Sequence, residues 1–151
     1  MTTTWESIGA KGVRHLTTDL QALADFLPAL QQSEFKAGEW TGGNETKSGV
    51  IQMPYVSYTP VVDAFYKAAY EHGWVKAFDW SAWGKSEEGE LLRKDETAIR
   101  SATPEQLANL LTVCVRADRF IEGFLLGEFE TGLILRIVER AAVLAGEASA
   151  R

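Results

Sequence analysis

The chain has 151 residues, 46% hydrophobic and 24% charged, an ordinary globular composition that argues against disorder. It is expected to form one domain over positions 1–151, large enough to bury a core without staples. Fifteen basic against 21 acidic residues give a net charge of −6, which disfavours non-specific binding to nucleic acid.

The single cysteine, Cys114, excludes an intrachain disulfide and sits in an apolar run where a buried, inert thiol is the ordinary expectation. There is no CxxC, and the two histidines, His15 and His72, are far apart, so neither a metal nor a cofactor is expected. No apolar run approaches the ~20 residues that span a bilayer. The first twelve residues lack the apolar centre of a signal peptide, and the expectation is a cytoplasmic protein with no membrane partner.

In chain order, the first fifteen residues show no clear period and are interrupted by Gly9 and Gly12. Thr18 and Gln21 then have the spacing of a capping box, which predicts a helix starting at Thr18. Leu20, Leu23, Ala24 and Leu27 follow at helical spacing, and Pro28 stops or kinks that helix. Segments 35–40 and 50–58 read as two short strands; Gly42, Gly43, Asn44, Lys47, Ser48 and Gly49 supply turn chemistry between them. A second helix is predicted over 59–72, with Pro60 at its first position and a stripe of Val62, Phe65, Tyr66 and Ala69. Gly73 suits its left-handed end, and His72 its negative pole.

Trp74, Phe78, Trp80 and Trp83 form an aromatic cluster in which Asp79 suits the cap of a short turn. Such rings can stack sugars or bases, but in a small acidic domain they more often anchor a core. Segment 85–100 reads as charged surface with a helical piece around 91–99. Thr103, Pro104 and Gln106 open a helix with a full capping box and a stripe of Leu107, Leu110, Leu111 and Cys114. Leu133, Ile134, Ile137, Val138 and Ala141 make the last stripe, ending near Gly146. The expected fold is mostly α, a compact helical domain with a small two-stranded β element near 35–58.

Between these two helices, residues 116–132 interleave two arginines and four acids with large apolar side chains. Buried charge is costly unless paired. If one helix continued through 129, Asp118 would face the core. If the chain breaks near Ala117, Asp118 can cap a new helix that buries Phe120, Ile121, Phe124, Leu125 and Phe129. The second geometry is preferred because it satisfies Asp118 locally. It leaves Arg116, Arg119, Glu122 and Glu130 as ligand-binding candidates beside two close-approach glycines, Gly123 and Gly127, set four apart on one face. The competing reading is an ordinary ion-pair network against another element.

The motif Arg116-x-Asp118-Arg119-Phe120-x-Glu122-Gly123, with Phe124 and Gly127 behind it, resembles a family of small, mostly bacterial proteins known as a domain of unknown function. Gly38-Glu39-Trp40, segment 54–58, Gly73-Trp74 and Phe78-Asp79-Trp80 with Trp83 extend the likeness over most of the chain. The resemblance implies a shared fold and transfers no catalytic residue. Neither histidine has an obvious acid partner, and GxSxG, phosphate-loop and HExxH signatures are absent, so an enzyme is less expected than a non-enzymatic interaction or regulatory module. Its expected partner is another protein or a second copy of the chain. The alternative is a small-molecule binder or enzyme that grips an anionic or polar ligand with the arginines of the 116–130 patch, Glu122 being the acid–base candidate.

Overall fold

The computed structural model describes residues 9–43 and 49–149, with side chains from Leu16 onward. The turn residues Asn44, Lys47 and Ser48 and the side chain of His15 lie outside the described residues.

The first helix, α1 (Gly9–Ala24), begins nine residues before the expected start. Thr18 is an exposed residue inside α1 rather than its cap. Helix α1 packs along the last helix, α9 (Leu133–Ser149), a tertiary contact that no local signal announces. Pro28 sits in the first turn of a short second helix, α2 (Leu27–Leu30), where a missing N–H costs nothing. Strands β1 (Gly38–Thr41) and β2 (Tyr55–Tyr58) pair antiparallel, with Trp40 opposite Val56 and Gly38 opposite Tyr58. Both are shorter than the two segments expected.

Helix α3 (Pro60–Glu71) follows the sequence pattern: Val62, Phe65 and Ala69 are buried, and Gly73 takes φ 75° after it. Asp79 caps α4 (Trp80–Lys85) by accepting the Ala82 N–H. The charged stretch folds as α5 (Glu87–Lys94) and α6 (Glu96–Ile99), capped by Ser86 and Asp95. Helix α7 (Pro104–Ala117) opens with the capping box of Thr103 and Gln106. Beyond its expected stripe it also buries Val113, Val115 and Ala117, because α4, α5, α8 and α9 surround it. A helix apolar on nearly every side belongs at the centre of a core.

The chain does break after Ala117. Residues 118–123 form a turn, α8 runs over Phe124–Glu130, and α9 continues past Gly146. Phe120 and Ile121, expected in the core, are 75% and 56% exposed. The reason is Gly123: its φ of 84° delays the helix to Phe124, so the two apolar residues remain in the turn. Phe65 meets Phe26 and Phe129 edge-on at 5.3 and 5.7 Å, joining α3 to the α1–α2 junction and to α8.

Candidate functional site

The 118–123 turn is held by the hairpin. The Tyr58 hydroxyl donates to Asp118 Oδ1 at 2.9 Å and accepts the Leu126 N–H at 3.2 Å. Asp118 Oδ1 also accepts the Leu125 N–H at 3.0 Å. Asp118 therefore caps α8 as expected in kind, but from the C-terminal end of α7 and across the turn. Burial raises the Tyr58 pKa above its usual value of 10.0, and the bond to Asp118 adds to the shift, so the phenol stays a donor at neutral pH.

Glu122 works at the sheet edge. Its Oε2 accepts the Val56 N–H at 3.0 Å, a donor that β1 does not take. A two-stranded sheet has two open edges, and an unanswered N–H there invites another strand. Gly123 closes the contact: a Cβ at this position would overlap the Trp40 indole. The close neighbour of Gly123 is the hairpin tryptophan. Gly127, inside α8, has open space where its Cβ would stand.

The remaining candidates point elsewhere. Arg119 and Tyr70 both act on the Tyr66 hydroxyl of α3, and the Tyr66 and Tyr70 rings lie 5.1 Å apart. Burial, then Tyr70, raises the Tyr66 pKa. Arg116 lies half-buried in the last turn of α7, its Nε buried without an acceptor. Glu130 is exposed at the opposite end of α8 from Glu122. The structure brings Asp118, Glu122 and Gly123 together against Trp40, Val56 and Tyr58, while Arg119 serves α3.

Around this frame the surface is apolar. Trp40 is 54% exposed and Met53 80%, and the Met53 carbonyl lies 2.8 Å from the Cβ position of Gly42, two residues beyond Trp40. On the other side of Gly123, Phe120 stacks on Trp80 with centroids 6.1 Å apart. Two exposed aromatic side chains thus belong to this frame, Trp40 against Gly123 and Phe120 against Trp80. Trp74, by contrast, is buried in the core, and Trp83 packs against it.

Three groups have partners that sequence reasoning missed. His72 Nδ1 lies 2.9 Å from Asp19 Oδ1 on α1, and the Asp19 carbonyl accepts the Trp74 Nε1–H at 3.0 Å. Thr112, fully buried in α7, accepts the Lys76 N–H at 2.9 Å and donates to the Ala108 carbonyl at 2.8 Å. Such pairs are close only in the fold, and no spacing in the sequence signals them. Cys114 is fully buried, which pushes its thiol pKa up and away from nucleophilic chemistry.

Among the described residues, no helix is long and apolar enough to cross a membrane, and no group of three or more His, Cys, Asp or Glu is arranged to hold a metal ion. No curated protein and no solved structure is detectably similar to the chain. The fold that joins the hairpin to the 118–123 motif falls within a single family match over residues 15–147, and the chain belongs to that family, described as Family of unknown function (DUF6508).

Proposed function

We propose that this protein is a cytoplasmic, non-enzymatic interaction module, working as one domain, that binds a protein surface through the aromatic face around Trp40 and Phe120. The observation that supports this most is the exposure of Phe120 at 75%, on a turn fixed by Tyr58, Asp118 and Glu122 rather than free to collapse. Exposed aromatic and methionine side chains on a rigid frame are the usual composition of an interface centre. A second copy is the first partner to test, because a protein that leaves such a face uncovered gains by burying it against itself.

Sedimentation velocity on the wild type and on a Phe120→Ser, Met53→Ser double variant tests the proposal. The wild type is expected to form a dimer at tens of micromolar and the variant a monomer of unchanged helicity. A wild-type monomer throughout that range, or a variant that still dimerises, removes self-association through this face.

A second reading rests on Arg116, whose Nε is buried without an acceptor. In that reading Arg116, with Arg119 three residues on, binds a small anionic or polar ligand. A thermal-shift screen on the wild type and on Arg119→Ala separates the two, since a ligand raises the melting temperature according to its affinity and concentration.

A further inference from the structure

We infer that the groove between α6 and α9 is a second, separate binding site for a metabolite-sized organic anion with an apolar body. The groove encloses about 550 Å³, within the range of small-molecule sites. Arg100, Arg136 and Arg140 line it against Glu96 and Glu139, so cations outnumber carboxylates in a chain whose net charge is −6. Ile99, Leu135 and Val143 supply an apolar wall between the charges.

These arginines are not used up by the fold. Arg100 makes no ion pair among the described residues. Arg140 donates its Nε–H to the Ala102 carbonyl at 2.9 Å, which fixes a side chain that lines the groove and has no ion pair among the described residues. Arg136 Nη1 reaches the Thr131 carbonyl at 3.3 Å and Glu96 only at 3.8 Å, beyond hydrogen-bond distance. Glu96 itself is 70% exposed, so it neutralises Arg136 poorly. A guanidinium has five donors in a fixed fork that matches a carboxylate or phosphate. Simple lacing of α6 to α9 by ion pairs would show shorter contacts and an acid for Arg100. What is present is a concave wall of underused guanidinium groups beside an apolar strip, which fits an anionic head on an aliphatic or aromatic tail.

Calorimetric titration of the full chain with octanoate and octyl phosphate tests the site, with octylammonium as the charge control and inorganic phosphate as the head group alone. Both anionic amphiphiles are expected to bind, inorganic phosphate at least tenfold more weakly, and octylammonium not at all. Arg100→Glu, at an exposed position, is expected to weaken the anions at least tenfold without altering the helical circular dichroism. Lys67→Glu, on the exposed side of α3, and Arg119→Ala are expected to bind as the wild type does. Absence of heat with either anion, equal binding of octylammonium, or unchanged binding to Arg100→Glu overturns the inference. An equal loss in Lys67→Glu also overturns it, as a net-charge effect, and a loss confined to Arg119→Ala assigns the anion to the 116–130 patch instead.

Discussion

At the scale of single residues, two glycines four apart have opposite meanings. Gly123 has φ 84°, and a Cβ there would overlap the Trp40 ring. Left-handed backbone costs a non-glycine residue roughly 1–2 kcal/mol, and displacing the indole adds to it. Gly123→Ala is expected to lose about 2–3 kcal/mol in urea denaturation. Gly127 lies inside α8 with open space around its Cβ position, so Gly127→Ala is expected to gain about 0.5–1 kcal/mol. If both substitutions had the same sign, the close approach of Trp40 would not be what selects glycine. Tyr58 adds a pH dependence. Its folded pKa is raised by burial and by Asp118, so the native state holds the phenolic proton more tightly than the unfolded chain does. That contribution is fully present below pH 10 and is lost as pH rises above it. The wild type is therefore expected to lose stability from pH 10 to 11.5 more steeply than Tyr58→Phe. At pH 7 the variant is expected to be less stable by about 2 kcal/mol, the usual cost of losing a bond to a charged partner.

Between elements, the bonds that matter are those that fix segments lacking regular structure. Thr112 ties the segment after α3 to α7 through the Lys76 N–H. Thr112→Val keeps the shape but leaves that partly buried donor unanswered, so a loss of about 1–3 kcal/mol is expected, measured by thermal or urea unfolding. A loss below half of that would mean water replaces the hydroxyl. The same distinction explains which elements the sequence made legible. Helices α3 and α7 announce themselves, because Pro60, Gly73, Thr103 and Gln106 act within one turn of the backbone they cap. Asp79 is legible for the same reason. The start of α1 is not, since the composition of residues 9–17 speaks against a helix there. Asp118 is legible as a cap but not as the partner of Tyr58, 60 residues away. The exposure of Phe120 and Ile121 escapes the pattern because the turn is decided by the backbone sign at Gly123, while helical periodicity assumes that the turn ends sooner.

For the whole molecule, the question is whether the core opens as one unit. Cys114 is fully buried in the central helix, in the same cluster as Phe65, Leu125 and Ile137. Burial raises its thiol pKa, so the native side chain is both shielded and protonated near neutrality. Reaction with an aromatic disulfide reagent therefore requires opening, and the rate reports the free energy of whatever motion exposes α7. Phe65 is fully buried and joins α3 to the α1–α2 junction and to α8 through its ring contacts, well apart from Cys114 in sequence. Phe65→Ala is expected to cost about 3–5 kcal/mol. If α7 is exposed only by global unfolding, that loss must appear in the labelling rate, as an acceleration of roughly a hundredfold or more at one decade per ~1.4 kcal/mol. Labelling that is fast in the wild type, or unchanged by Phe65→Ala, would mean that α7 opens separately from the aromatic contacts that join α3 to α8. The 118–123 turn would then rest on a segment able to move, and the rigid frame on which the interaction face depends would be lost.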